Sequence, residues 1–199
     1  VSIDVIPGSV TILTGPTGSG KSTLLSLVAG TLPLSFGART VADVRIAYAP
    51  QDPGLMLGAR PARQLIAVEN LPRAFALAER LGVARLVDVM PARLSDGERR
   101  RLSLVVALAR DAELVVLDEP TEHLDDVTAQ HTLREILRAT TDKGLLMTTH
   151  RITELVEFDM IYVLQSGRIV CAGDFETCRR ENAWFRDSVR WRMDKQHIF

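Results

Sequence analysis

Apolar and polar residues along the chain switch repeatedly between the spacing of a strand and that of a helix. The runs at Val10 to Thr14, Leu114 to Leu117 and Leu145 to Thr148 are short and mostly apolar, as expected of strands buried on both faces of a sheet. Ser22 to Gly30 has helical composition, and Leu102 to Ala109 has the apolar spacing of one buried helix face. This alternation predicts an α/β fold in which helices flank a mainly parallel core sheet.

A helical insertion is predicted between two of the strands. Arg45 to Ala49 is a further buried strand, and the residues from Arg60 to Val89 then place leucines and valines at helical spacing. Together with the helix that follows, they predict a small helical subdomain over residues 54–110, inserted in the core of a single domain that covers residues 1–199.

The two ends of the chain carry separate patterns. Val1 to Ile6 alternates apolar and polar residues, which predicts a half-buried strand and an antiparallel β element near the N-terminus. Met160 to Leu164 and Arg168 to Ala172 are joined by Ser166-Gly167, a two-residue hairpin turn. The tail is predicted to be a helix with a packing face formed by Trp184, Phe185, Val189 and Met193.

Composition and charge narrow the class of protein. The 199 residues suffice for one sizeable core, and a net charge of −1 gives no electrostatic footprint for nucleic acid, so no nucleic-acid partner is expected. No apolar stretch is long and clean enough to span a bilayer. Cys171 and Cys178 lack the spacing of a metal or redox motif and are interpreted as ordinary thiols of a reducing compartment.

One glycine-rich segment has the spacing of a phosphate-binding loop. It reads G-x-x-x-x-G-K-S between a strand and a helix, so its backbone N–H groups can surround the phosphates of a nucleoside triphosphate. Lys21 would add a positive charge at the β- and γ-phosphates, and the hydroxyl of Ser22 would bind Mg²⁺, which prefers oxygen ligands. The predicted contacts to nucleotide are Gly15, Pro16, Thr17, Gly18, Ser19, Gly20, Lys21, Ser22 and Thr23.

Acidic residues follow the strand at Leu114 to Leu117. A charge at the end of a buried strand must be paired or bound to a metal, and ligands of open α/β sheets bind at this edge. We therefore predict that Asp118 holds Mg²⁺, directly or through water, and that Glu119 orients and deprotonates the attacking water. His150 also follows a strand, and this position favours catalysis over the structural role more usual for a single histidine.

Two further segments leave structural alternatives open. Gln51 lies on a loop between Pro50 and Pro53, where a glutamine is usually only solvated. Ser95 to Glu98 forms a capping box at a helix N-terminus, and the three arginines at 99–101 read as a solvated charge run.

Together these segments resemble the nucleotide-binding domain of ATP-binding-cassette (ABC) transporters, a P-loop NTPase fold, over essentially the whole chain. The resemblance identifies Gly15 to Ser22 as the Walker A loop, Leu94 to Glu98 as the signature motif, Leu114 to Glu119 as Walker B and Glu122 to Asp125 as the D-loop. It further implies that Gln51 takes part in catalysis and contacts Mg²⁺, that His150 is the switch histidine, and that Ser95 and Gly97 contact ATP.

The resemblance also implies the cofactors and partners. ATP and Mg²⁺ would lie between two nucleotide-binding domains that pair head to tail, and hydrolysis would drive a transmembrane partner at the inner, cytoplasmic face of the cell membrane. Three segments together look like bacterial exporter subunits of the thiol-exporting, cytochrome bd assembly type: Asp118 to Asp125, the signature ending in Glu98, and Thr149-His150-Arg151. Two alternatives are a soluble ABC ATPase without a transport role and a degenerate module that binds ATP with little turnover.

Three departures from the family pattern affect these expectations. The signature carries Asp96 where glycine is usual, no residue of the chain matches the aromatic side chain that usually stacks on adenine, and the connection from Lys21 to Gln51 is short. A carboxylate at Asp96 would face the γ-phosphate bound by the partner and repel it. We therefore expect a non-identical partner domain, with a homodimer as the alternative.

Overall fold

A six-stranded sheet forms the centre of the chain over the residues that the structure describes. The structure is a computed structural model and describes residues 1–34, 43–150 and 158–196. The strands are β1 (Val10–Thr14), β2 (Ile46–Ala49), β3 (Leu114–Asp118), β4 (Gly144–Thr148), β5 (Met160–Gln165) and β6 (Arg168–Gly173). Their order is β2-β3-β4-β1-β5-β6, and only the β5–β6 pair among them is antiparallel. The predicted α/β fold with a mainly parallel sheet is confirmed.

Helices cover both faces of this sheet, which explains why its strands are apolar at successive positions. In β1, Ile12 and Leu13 point to opposite faces and both are fully buried. The helix α1 (Lys21–Ala29) covers the Leu13 face through Leu25. Residues of α4 (Asp96–Leu108) and α5 (Asp126–Ala139) share the cluster on the Ile12 face.

The predicted helical insertion forms, but with little regular helix. Two α-helices precede α4 in it, α2 (Gly54–Leu57) and α3 (Leu71–Arg80), and the remainder is 3₁₀ turns at Ala62–Leu65, Val68–Asn70, Ala84–Leu86 and Pro91–Arg93. Proline lies in the first turn of α3, and Gly82 follows its end with φ +68°. The helix α4 packs against α3 and also against β2. The boundaries of the subdomain at residues 54–110 stay a prediction.

The antiparallel β element predicted near the N-terminus does not form, and this prediction was wrong. Residues 1–6 are described and contain no strand. The N–H of Asp4 donates to the hydroxyl of Tyr162 at 3.1 Å, and that of Ile6 donates to Ser9 Oγ at 3.1 Å. Side chains therefore satisfy backbone donors that a neighbouring strand would otherwise bind. An alternating pattern indicates one buried face but supplies no pairing partner.

The strands β5 and β6 form one edge of the sheet, and two helices follow them. Ser166 and Gly167 both have positive φ, +48° and +73°, as the predicted two-residue turn between β5 and β6 requires. Two helices follow, α6 (Phe175–Glu181) and α7 (Ala183–Gln196). Phe185 is fully buried and Val189 nearly so, which confirms a packing face, while the side chain of Met193 lies outside the described residues. No helix among the described residues is long and apolar enough to cross a membrane.

Candidate functional site

The phosphate-binding loop is held in shape by the neighbouring strand. Gly15 has φ +150°, and a Cβ added to it would lie 2.0 Å from the carbonyl oxygen of Leu164 at the end of β5. No residue with a side chain fits at this position. Gly20 caps α1 with φ +101° and makes no side-chain hydrogen bond, and the first turn of α1 has no acidic residue. The helix therefore begins with N–H groups that no side-chain cap occupies, as an anion site needs.

Lys21 lies across the loop and close to the acidic end of β3. Its Nζ donates to the carbonyls of Gly15 at 2.9 Å and Pro16 at 3.1 Å. Partial burial lowers the pKa of this ammonium, and the carboxylates of Glu119 and Asp118 oppose the effect. A cation held next to two carboxylates is the electrostatic arrangement expected of a site for phosphate and a divalent metal.

Asp118 has one carboxylate oxygen engaged and the other without a partner. Oδ1 accepts a hydrogen bond of 2.6 Å from Thr148 Oγ1, whereas Oδ2 is buried and makes none. Thr148 lies opposite Asp118 in the β3–β4 register, and its Oγ1 also accepts from the N–H of Glu119 at 2.8 Å. A buried orphan carboxylate oxygen is costly unless a ligand completes it, so Asp118 fits a role as a Mg²⁺ ligand.

Glu119 adopts a backbone conformation that is unusual for its residue type. Its φ is +47°, a region that costs an L-residue about 1–2 kcal/mol, and its side chain is only 10% exposed. His150 Nε2 lies 3.0 Å from Glu119 Oε1, although the contact lies off the direction of a hydrogen bond. Strained residues are found at active sites where the surrounding structure fixes them. The structure thus brings two of the three predicted catalytic side chains, Glu119 and His150, into contact.

Gln51 is held by charged residues rather than only solvated. Its Nε2 donates to Glu122 Oε2 at 2.9 Å. Arg100, which was interpreted as part of a solvated charge run, is in fact buried, with 1% exposure of its side chain. Its guanidinium donates to the carbonyls of Pro50 and Gln51 on the loop, so the burial is explained by backbone acceptors far away in sequence.

The signature segment forms the predicted capping box. The N–H of Ser95 donates to Glu98 Oε2 at 2.9 Å, and the N–H of Glu98 donates to Ser95 Oγ at 3.3 Å. The hydrogen bonds that the N–H and the Oγ of Ser95 donate to Glu98 Oε2 lower the pKa of Glu98. Asp96 forms an ion pair with Arg99 one turn along α4. A Cβ added to Gly97 would lie 3.1 Å from Leu124 Cδ2, which brings this segment against the D-loop.

A cleft of about 760 Å³ is lined by some of these groups, whereas Lys21, Glu119 and His150 are not among its lining residues. The predicted site residues along it are Ser22, Gln51 and Asp118, and it extends to Asp96, next to Ser95 and Gly97. Among the described residues no group of three or more His, Cys, Asp and Glu side chains could hold a metal alone.

Sequence reasoning missed two of the residues that shape this site. Thr148 was predicted only as a strand residue, and its signal would have been its position opposite Asp118 once the strands are paired. Arg100 carries no local signal, because its acceptors lie on a loop some fifty positions earlier in the sequence.

The chain is similar to known proteins in both sequence and fold. The family model described as ABC transporter matches residues 1–122. The zinc import ATP-binding protein ZnuC of Cereibacter sphaeroides is 37% identical over 191 residues, which are 89% of this chain and 73% of that protein. The glutathione/L-cysteine transport system ATP-binding/permease protein CydC of Haemophilus influenzae is 29% identical over 213 residues, 94% of this chain and 37% of that protein. A solved structure titled as the ATP binding subunit of an ABC transporter superposes with a TM-score of 0.77 at 21% identity, covering 95% of this chain and 90% of that one.

Proposed function

We propose a residue-level mechanism on the premise that this chain belongs to the ABC transporter family, in which it is an ATP-binding and ATP-hydrolysing component. The triphosphate of ATP binds at the loop from Gly15 to Ser22, with Lys21 at the β- and γ-phosphates. Ser22, Gln51 and Asp118 would hold Mg²⁺, which would supply positive charge to offset that of the phosphates. Thr23 extends the same nucleotide contact into α1.

Glu119 is the general base in this proposal. It would take a proton from the water that attacks the γ-phosphorus, which gives ADP and inorganic phosphate. Two observations support this role. Glu119 is strained and largely buried next to Asp118. Lys21 lies close enough for both carboxylates to influence the pKa of its ammonium. His150, 3.0 Å from the carboxylate, would keep Glu119 in place and contact the γ-phosphate.

The proposed partner is a second nucleotide-binding domain paired head to tail. Ser95 and Gly97 would contact the ATP held by the Walker A loop of that partner. The Asp96 carboxylate would oppose such pairing between identical copies, but its ion pair with Arg99 offsets part of the negative charge. We therefore keep a non-identical partner as the first proposal and a homodimer as the second. A transmembrane subunit or domain would hold the chain at the cytoplasmic face of the cell membrane.

The test compares Glu119→Gln with the wild-type chain. The variant should bind MgATP with unchanged affinity but hydrolyse it at least about 10²-fold more slowly, because the amide keeps the shape and cannot accept the proton. Glu176→Gln, at an exposed glutamate of α6, is the matched control and should leave turnover unchanged. Near-normal turnover in Glu119→Gln would move the base elsewhere, with His150 the next candidate.

A further inference from the structure

The side-chain amide of Gln51 has only one orientation that its partner permits. An ionised carboxylate such as Glu122 accepts hydrogen bonds and cannot donate them, so the NH₂ end of the amide must face it. Nε2 is indeed the atom 2.9 Å from Glu122 Oε2. The amide oxygen, the end with affinity for a hard cation, is consequently the end directed away from Glu122.

The backbone of the same loop is fixed from a different element. Arg100 of α4 donates through Nη1 to the carbonyl of Pro50 at 2.9 Å and through Nη2 to the carbonyl of Gln51. Its Nη2 also lies 3.8 Å from Glu122 Oε2, the oxygen that receives the Gln51 amide. Burial lowers the pKa of this guanidinium, and Glu122 is the carboxylate that most opposes the effect. Glu122 therefore meets both the side chain and the backbone anchor of Gln51.

We propose that Glu122 and Arg100 are positioning residues that present the amide oxygen of Gln51 to the cation site formed by Ser22 and Asp118. All five residues line the one cleft, which places them on a shared surface. The inference rests on the proposed function, specifically on the contact between Gln51 and Mg²⁺. Without Glu122 the amide can rotate and offer its NH₂ end, which repels a cation.

We expect removal of Glu122 to weaken the Mg²⁺-dependent part of ATP binding and to leave binding without Mg²⁺ unchanged. Partners that orient a metal ligand typically change metal affinity by about 10- to 100-fold when they are removed. We expect Glu122→Ala to raise the Mg²⁺ concentration that half-saturates ATP hydrolysis by about tenfold. ATP affinity in EDTA should stay unchanged, because Lys21 and the phosphate-binding loop are intact.

The experiment measures binding of a non-hydrolysable ATP analogue to the full chain by calorimetry, once in Mg²⁺ and once in EDTA. Glu122→Ala should lose most of the affinity gained from Mg²⁺, and Glu122→Gln should retain it because its carbonyl oxygen still accepts from Gln51 Nε2. Arg100→Lys keeps a buried cation and tests the backbone anchor. Glu176→Ala is the control for an unrelated exposed glutamate.

A double variant separates the inference from the proposed function. If Glu122 acts only through Gln51, adding Glu122→Ala to Gln51→Ala has no further effect on the Mg²⁺-dependent gain. Additive losses of the Mg²⁺-dependent gain in the double variant would overturn the positioning role alone. The same conclusion would follow if Gln51→Ala lost this gain while Glu122→Ala kept the wild-type Mg²⁺ dependence. An unimpaired Gln51→Ala variant would overturn both the contact between Gln51 and Mg²⁺ and this inference.

Discussion

Replacing Thr148 by valine tests whether one hydroxyl holds together the acidic end of β3. Thr148 is fully buried, and its Oγ1 donates to Asp118 Oδ1 at 2.6 Å and accepts from the N–H of Glu119 at 2.8 Å. Valine has the same shape but makes neither hydrogen bond. The substitution leaves a buried carboxylate oxygen and a buried N–H unpaired, which we expect to lower the free energy of unfolding by about 3–5 kcal/mol in total.

A second buried threonine provides a matched control. Thr132 on α5 is also fully buried, but its Oγ1 has no hydrogen-bond partner. Thr132→Val removes an unsatisfied hydroxyl, so it should be neutral or stabilising by about 1 kcal/mol. The same change of atoms thus has opposite expected signs at the two positions.

Urea unfolding of Thr148→Val and Thr132→Val measures their free energies of unfolding. Steady-state ATP hydrolysis measures the effect of each substitution on the site. Thr148→Val should also slow hydrolysis, since Glu119 loses the contact that fixes its backbone N–H. Thr148→Ser, which keeps the hydroxyl, should recover most of both losses. Equal unfolding free energies for Thr148→Val and Thr132→Val, within about 0.5 kcal/mol, would refute the reasoning.

Three other predictions concern nucleotide binding, pairing and thiol reactivity. Lys21→Ala should weaken ATP binding in calorimetry by about tenfold or more, because the phosphates lose a charge-assisted donor; unchanged affinity would contradict this role. At about 6 Å and an effective dielectric near 20, two unit charges repel by roughly 3 kcal/mol, an upper figure for Asp96 because Arg99 pairs with it. Asp96→Gly should therefore increase the dependence of ATPase rate on protein concentration. A strong dependence in the isolated wild-type chain that Asp96→Gly leaves unchanged would favour a plain homodimer. Burial raises the pKa of Cys178 to about 12, so iodoacetamide at pH 8 should label Cys171 first and Cys178 only after unfolding. Peptide mass spectrometry measures the labelling of each cysteine. Equal labelling of the two cysteines in the folded chain would contradict this prediction.

The parts of the fold that were predictable from sequence are those with a local cause. Strands β1, β3 and β4 are apolar at successive positions because both faces are covered, and this leaves a continuous run in the sequence. The phosphate-binding loop needs glycine where the backbone passes too close to Leu164 for a side chain, so its spacing is visible without a structure. Asp118 and Glu119 were identified because a buried run ends at them.

The parts that were not predictable depend on contacts between distant segments. Arg100 looks like its partly buried neighbours in a run of arginines, and only the packing of α4 against the Gln51 loop shows that it is fully buried. The role of Glu122 depends on the same packing. Residues 1–6 have the alternating apolar and polar pattern of a strand. A strand also requires a neighbouring strand to pair with, and the pattern within one segment does not show whether such a neighbour exists.

The close approach of Gly15 to Leu164 has a consequence for the synthesis of the protein. The strand that leads into the phosphate-binding loop lies between β4 and β5, and the N–H of Gly167 in the terminal hairpin donates to the carbonyl of Ser19 at 3.1 Å. The phosphate-binding loop is thus supported by a segment that leaves the ribosome long after it. A nascent chain that ends before β5 lacks these supports, so ATP cannot assist the early stages of its folding as a ligand of the finished site. We therefore expect nucleotide binding to begin only after β5 has emerged and paired with β1.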